Sequence, residues 1–224
     1  MSAPAFRALA RKAAQLYPAR EHFARHFAFG KLTGDPVFRR ILELGLIAPG
    51  ARVLDLGCGQ GVLEALLVAA QGAGAGTLEG IDFSARDVER ARAACGVAAK
   101  FSVGDIRTAA FGAADTVVIL DVLHYIDFAA QEDVLRRVRA SHGRRGLLLL
   151  RVGDMSRSLR FRITAAVDRA AMALRGHRIE RFCARPVREW QELLETLGYQ
   201  VDPQPMSAGT PFANVLLVAR YHSR

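Results

Sequence analysis

The period of the apolar and polar positions changes several times along the chain, and each change marks an element. Near the start Phe6, Leu9, Ala13 and Leu16 recur every three to four residues, the stripe of an amphipathic helix, until Pro18 interrupts it. The segment EHFARHFAFGKL follows, carrying Phe23, His26 and Phe27 ahead of a turn at TGDP. Asp35 is placed there to cap a helix that opens at Pro36 and runs through Val37, Ile41 and Leu44 toward Gly45. These helices either cover one edge of a sheet, or their turn near Gly30, Lys31 and Thr33 closes over a ligand.

Beyond Arg52 short apolar runs alternate with helical stretches. The runs are RVLDL, LEGID ending at Asp82, KFSV ahead of Asp105, DTVVILDVLHYID and GLLLLRV at 146 to 152, with two more near Tyr199 to Asp202 and Asn214 to Arg220. The fourth is continuously apolar, as a parallel strand buried on both faces would be. Helices are expected over VLEALLVAA, Ala85 to Ala98, 130 to 141 and 186 to 197, and the Gly/Ala stretch QGAGAGT is a surface turn. Such alternation predicts an α/β fold with a Rossmann-like doubly wound sheet, whose ligands lie beyond the carboxyl ends of the strands.

The junction between the first strand and its helix concentrates the chemistry. In RVLDLGCGQG, Gly57, Gly59 and Gly61 let the main chain approach a ligand closely, and the turn's N–H groups with the helix's positive end suit a polar or anionic group. Asp82 lies about 20 residues past the last of these glycines, where a carboxylate can accept both hydroxyls of a ribose. It competes with a second role, as a helix cap, for which Ser84 is also placed.

Composition narrows the partners. The net charge of +9 comes almost entirely from arginines spread along the chain, with no run interleaving basic and aromatic residues as a single-strand groove would. Nucleic acid is therefore not the expected partner. Cys58, Cys95 and Cys183 are scattered without a CxxC pair, which speaks against structural zinc or a disulfide framework. No apolar run reaches the roughly 20 residues that cross a bilayer, and no signal-peptide core is apparent, so a cytoplasmic location is expected. One stretch is denser in charge: ten arginines fall between Arg151 and Arg188. Within it Leu159, Ile163, Val167, Ala171 and Leu174 form an apolar stripe, the pattern of a helical lid.

Taken together and in order, VLDLGCGQG, GIDFS, VGDI and LDVLHY resemble the motifs of class I S-adenosylmethionine-dependent methyltransferases of the small-molecule type. The resemblance covers residues 50 to 152 closely. It implies a seven-stranded sheet, mostly parallel with the last strand antiparallel, in a single domain over 1–224. Its parts would be a helical cap at 1–48, a cofactor-binding core at 50–152, a helical lid at 153–185 and a C-terminal helix with strands at 186–224. It also implies S-adenosyl-L-methionine as cofactor and S-adenosyl-L-homocysteine as product. Asp55, Gly57, Cys58 and Gly59 would hold the methionine end, Asp82 the ribose, and Phe83 would stack by the adenine. Asp105 and Ile106 would read the adenine edge, and Asp121 and Val122 would run beneath the methionine. No second and third oxygen ligand can be named beside Asp121, so no metal is expected.

Methyl transfer from a sulfonium relies on positioning, helped by a base where the acceptor must lose a proton. His124 is the leading candidate, with Tyr125 and the lid residue His177 behind it; a histidine bonded to a local carbonyl is the competing reading. The Asn/Asp-Pro-Pro-aromatic loop of amine methyltransferases is missing from LDVLHY. Arg151, His177 and Thr210 are candidate substrate contacts. The arginine-rich segment suits an apolar acceptor with an anionic handle, delivery on an acyl carrier protein, peripheral contact with anionic lipid, or simple solvation. A narrower resemblance, in RVGD, LRFRITAAVDRAAMALRGH and PMSAGTPFANVLLVAR, is to methyltransferases encoded beside aryl-polyene and fatty-acid-like biosynthesis enzymes. It implies an aromatic or acyl acceptor.

Overall fold

Gly, Pro and Asp punctuation divides the apolar runs into seven strands and, among the described residues, seven α-helices. The computed structural model describes residues 1–153, 183–206 and 214–223. The lid stripe, His177 and Thr210 lie outside those residues. The strands follow the hydrogen-bonded order β3-β2-β1-β4-β5-β7-β6, and contacts divide the chain into two compact units, Met1–Val118 and Ile119–Arg224.

The first unit holds three parallel strands, β1 (Arg52–Leu56), β2 (Thr77–Asp82) and β3 (Ala99–Val103), and the start of β4 (Thr116–Leu120). β1 lies between β2 and β4, with Asp55 opposite Gly80 on one side and Val118 on the other. A strand flanked on both sides must be apolar on both faces, and every residue of β1 after Arg52 is buried. Arg52 stays at the surface and pairs with Asp115 at 2.7 Å. α4 (Val62–Gln71) buries seven residues, six of them apolar and the seventh Glu64. α5 (Ala85–Cys95) is capped by Ser84, whose hydroxyl accepts the Asp87 amide at 3.3 Å. That assigns the capping hydroxyl to Ser84 and leaves Asp82 for other work.

Three N-terminal helices precede this layer: α1 (Ala3–Gln15), α2 (His22–Gly34) and α3 (Pro36–Glu43). α1 buries Phe6, Ala10, Ala13 and Ala14 and packs on α4. α2 buries the row Ala24, Ala28 and Leu32, while Phe23 is 65 % exposed and stacks beside Phe27. Small residues permit the close approach of α2 to α1, and the aromatics face outward. Asp35 caps α3 as its sequence predicts, accepting the Val37 amide at 3.1 Å. One expectation needs correction. Gly30, Lys31 and Thr33 lie within α2 rather than in a turn that could close over a ligand, Thr33 bonding back to the Phe29 carbonyl at 2.8 Å. α1 and α2 pack against α4.

Tyr17, just past α1, is fully buried and its hydroxyl donates to the Gln60 carbonyl at 2.8 Å, within the glycine turn. Arg25 of α2 in turn donates to the Tyr17 carbonyl at 2.9 Å. The helical cap is thus bonded to the loop that the sequence singles out.

In the second unit β4 ends at Leu120, earlier than the apolar run suggests, because Asp121 adopts φ 59 and turns the chain out of the strand. A single 3₁₀ turn, Leu123–Tyr125, leads to α6 (Phe128–Ser141), capped by Asp127 on the Ala130 amide at 2.9 Å. β5 (Arg145–Gly153) pairs antiparallel with β7 (Asn214–His222), which pairs antiparallel with β6 (Gln200–Pro205). β6 is the terminal strand of the order, the position where Pro203 and Pro205 remove no needed ladder donor. Its partner helix α7 (Val187–Thr196) buries Trp190 and Leu194.

Tyr17→Phe removes one buried hydrogen bond and leaves a carbonyl of the turn without its donor. The expected cost is about 1–3 kcal/mol, read as a lower urea midpoint at unchanged m-value.

Candidate functional site

The turn after β1 is built by three successive left-handed glycines, Gly57 at φ 83, Gly59 at φ 52 and Gly61 at φ 74. Gly61 has a second reason to be glycine: a Cβ there would fall 2.9 Å from the Ala91 Cβ and 3.0 Å from the Phe101 ring. Gly59 differs, since a Cβ there would meet nothing within 4 Å. The backbone is open at that point, as a ligand-facing turn requires.

The amides of the turn are already engaged, which corrects the expectation of free N–H groups for an anion. Gly57 and Cys58 both donate to the Ile81 carbonyl, at 2.7 and 3.2 Å, and Gly61 donates to the Cys58 carbonyl at 3.0 Å. Gly59 donates to Asp82 Oδ2 at 2.8 Å, and Ser84 donates to Asp82 Oδ1 at 2.8 Å. Two amides therefore fix the plane of the Asp82 carboxylate.

Beneath this turn sit further acids. Asp55 ends β1 at 5 % exposure and Glu64 occupies the first turn of α4 at 1 %. Burial, together with the neighbouring Asp82 charge, pushes the Asp55 carboxyl up to about 7, against a lowering by the neighbouring Glu64 carboxyl. Glu64 is raised well above the carboxylate range by burial and by Asp55. Burial likewise raises the Cys58 thiol, so it stays protonated and weakly nucleophilic. A closely spaced set of acids with no basic neighbour among these influences suits a group that brings positive charge and hydroxyls, as an S-adenosylmethionine-type donor does. Phe83 is 46 % exposed, and Ile106 is buried. Asp105 is held by Arg107, whose Nε lies 2.8 Å from Oδ2 and whose amide lies 2.9 Å from Oδ1.

The second unit gathers a different set. Arg151, 2 % exposed on β5, forms a two-pronged pair with Asp121, its Nε 2.9 Å from Oδ1 and its Nη2 bonded to Oδ2. The Asp121 amide also donates to the Arg151 carbonyl at 3.3 Å. The guanidinium expected to meet substrate is thus held by Asp121, and the pair secures the left-handed backbone at Asp121 against its cost. His124 follows on the 3₁₀ turn, 8 % exposed, with its ring edge-on to Tyr125 at 4.1 Å. Burial lowers its pKa to about 4, with Asp121 acting upward and Arg151 downward. It is a neutral imidazole near pH 7.

Residues the motifs did not single out hold this turn. Gln131 is fully buried, and its Nε2 lies 3.0, 3.1 and 2.7 Å from the carbonyls of Leu123, Ile126 and Cys183. Its Oε1 accepts from Arg185 at 2.9 Å, and Cys183 donates its amide to the His124 carbonyl at 2.9 Å. Glu64, Tyr17 and Gln131 all escape motif reading; the available signal was a polar residue in an otherwise apolar helical face, as in VLEALLVAA.

The two titrations act on stability with opposite sign. Asp55 is raised in the folded protein, so its contribution is present below the unfolded carboxylate pKa and is lost as pH rises through about 7. His124 is lowered, so its contribution is present above about 6.5 and is lost as pH falls toward about 4. Between about pH 4 and 6.5 the two effects oppose each other, so the ligand-free melting temperature is expected to change little there and to decline from about pH 6.5 to pH 7. Asp55→Asn should uncover a decline on the acidic side below about pH 6.5, and His124→Ala a steady decline from about pH 4 to pH 7, measured by thermal denaturation across pH.

A family model described as a methyltransferase domain matches residues 24–204. No curated protein matches the chain. Among solved structures, magnesium protoporphyrin IX methyltransferase from Synechocystis PCC 6803 with bound S-adenosylhomocysteine is similar at TM-score 0.61 and 22 % identity, over 89 % of this chain and 87 % of that one. An O-methyltransferase family protein from Burkholderia thailandensis is similar at TM-score 0.69 and 22 % identity, over 92 % and 60 %. Human N-acetylserotonin methyltransferase in complex with S-adenosylmethionine is similar at TM-score 0.61 and 16 % identity, over 92 % and 60 %. The chain spans three fifths of the length of these last two. At such identities the likeness is one of fold, and the matched domain supplies the rest: the chain belongs to the methyltransferase-domain family, as an S-adenosylmethionine-dependent methyltransferase.

Proposed function

We propose that the protein methylates an oxygen of a small aromatic or acyl acceptor, with His124 as the general base. The neutral, buried imidazole of His124 beside the Asp121–Arg151 pair carries this reading. When bound, S-adenosylmethionine supplies an activated methyl group with its own leaving group. The protein's part is then to hold the two reactants in line, exclude water and receive a proton. Asp82 orients the donor through its ribose and Asp55 draws the charged methionine end, while the amides of Gly59 and Ser84 keep Asp82 from turning away. His124, already neutral, can accept the hydroxyl proton without first losing one of its own. Tyr125, at the edge of that ring, assists in placing the acceptor.

Several related structures favour a small acceptor, among them the protoporphyrin and N-acetylserotonin enzymes, pyocyanin biosynthesis and mitomycin 7-O-methylation. Delivery on an acyl carrier protein draws less support. It rests on the density of arginines, and the three described ones, Arg151, Arg185 and Arg188, are each paired with a carboxylate of this chain. An aryl-polyene type of acceptor remains within the proposed class. Among the described residues no helix is long and apolar enough to cross a membrane, and Cys58, Cys95 and Cys183 are free and buried, which supports a cytoplasmic setting.

The test uses a panel of phenols, aryl carboxylic acids and fatty acids with S-adenosylmethionine carrying a labelled methyl group. With an acceptor found, His124→Ala is expected to lower turnover about 10²–10⁴-fold with S-adenosylhomocysteine affinity unchanged. Asp82→Ala is expected to abolish that affinity. Wild-type turnover in His124→Ala would remove the base assignment and leave the donor site standing.

A further inference from the structure

The outer face of α2 carries a combination that packing does not account for. Ala24, Ala28 and Leu32 form the buried row of the helix. On the other side His22, Phe23, His26, Gly30 and Thr33 are exposed, with Phe27 and Phe29 half-buried at the margins. Phe23 adds little to any core at 65 % exposure, yet it stacks on Phe27 with ring centroids 6.1 Å apart. Arginines from two other helices flank these rings. Arg7 and Arg11 of α1 lie over Phe29 at 5.4 and 5.8 Å, and Arg90 of α5 lies over Phe23 at 5.4 Å.

The charge around this face is one-sided. Eight of the first 40 residues are Lys or Arg and two are acids, a net charge of +6. Both acids are already committed, Glu21 to Arg90 at 3.4 Å and Asp35 to Lys31 at 2.9 Å. Among the described residues Arg7 and Arg11 pair with no carboxylate. Near the Phe23 end, Arg20, Arg86 and Arg90 line a cleft of about 300 Å³ with Glu21 and Glu89. Arg90 is taken there by Glu21 and Asp87, which leaves Arg20 and Arg86 against the single acid Glu89. No one run of the sequence carries this pattern; α1, α2 and α5 assemble it.

We propose that this face of α2 docks on a bilayer rich in anionic phospholipid, with Phe23 and Phe27 entering the headgroup boundary and Arg7, Arg11, Arg20 and Arg86 meeting the phosphates. Rings bordered by unpaired guanidinia match a surface that is anionic outside and apolar just beneath. Nucleic acid, the other polyanion, fits less well. A single strand needs a groove that tracks its backbone and open ring faces for its bases. This face is the outside of a helix, and Phe23, Phe27 and Phe29 each have a ring or a guanidinium against them already. The docking surface is independent of which acceptor is methylated.

The experiment floats the full chain with vesicles of phosphatidylcholine alone, or of equal parts phosphatidylcholine and phosphatidylglycerol, at about 0.1 M and about 0.5 M salt. Binding is expected on the anionic vesicles at the lower salt, at least about tenfold tighter than on neutral ones. Arg7→Gln with Arg11→Gln should weaken it about fivefold for each arginine. Phe23→Ser should weaken it about tenfold. Both variants should keep the wild-type melting temperature and S-adenosylhomocysteine affinity. Equal binding to the two vesicle types, or wild-type binding by either variant, would overturn the proposal, since the attraction would then come from charge or surface elsewhere. A single-stranded RNA bound more tightly than the anionic vesicles, and lost in the same variants, would assign the face to nucleic acid and overturn it as well. Phe23→Trp gives a reading that needs no loss of binding. Trp190 is buried and supplies a constant background, so the added indole's emission should shift to the blue with anionic vesicles and stay unshifted with neutral ones. Emission unmoved by anionic vesicles would overturn the proposal even if Phe23→Ser failed to fold.

Discussion

The hydrogen bond from the Gly59 amide to Asp82, at 2.8 Å, is the constraint around which the first unit is organised. It ties the turn after β1 to the end of β2, and it forms only if Gly59 is left-handed and Asp82 sits where the strand register puts it. The register does so: Leu56 lies opposite Ile81, and the Ile81 carbonyl takes the amides of Gly57 and Cys58. With four of its amides engaged in this way, the turn offers a fixed carboxylate and open backbone instead of a nest of free donors. A pyrophosphate would find few N–H groups, whereas on the proposed reading a nucleoside carrying a zwitterionic amino acid would meet one carboxylate at its hydroxyls and another at its charge.

Enclosing several acids under one turn carries a cost that the rest of the unit has to meet. Tyr17 closes the turn from the side of α1, and Gly61 admits the Ala91 methyl and the Phe101 ring from beneath. The result is a dry setting in which a single proton matters more than it would at the surface. The second unit solves the opposite problem. A buried arginine would be intolerable alone, and Asp121 neutralises it at the expense of a left-handed backbone; burial keeps His124 neutral, with Asp121 acting against that and Arg151 with it.

What could be read from the sequence was whatever is encoded locally. Gly57, Gly59 and Gly61 before an apolar helix, Asp82 at a strand end and Asp35 ahead of Pro36 each declare a backbone requirement within a few residues, and the structure places each where that requirement puts it. The end of β4 was not legible, because LDVLHY is as apolar as a strand and only the Arg151 partner, 30 residues on, makes a left-handed Asp121 tolerable. The orientation of α2 was hidden for a similar reason. Phe23 and Phe27 look like a core stripe, yet close packing on α1 selects the alanines. Gln131 was invisible because its partners, Leu123, Ile126 and Cys183, are brought together only by the fold.

Glu64 shows where motif reading stops and physical accounting starts. As a letter in VLEALLVAA it is an ordinary helix former near a positive helix end, a place where a carboxylate would be stabilised by the dipole. In the fold it is buried with no hydrogen-bond partner for either oxygen, and the dipole's fraction of a charge cannot offset the loss of water around it.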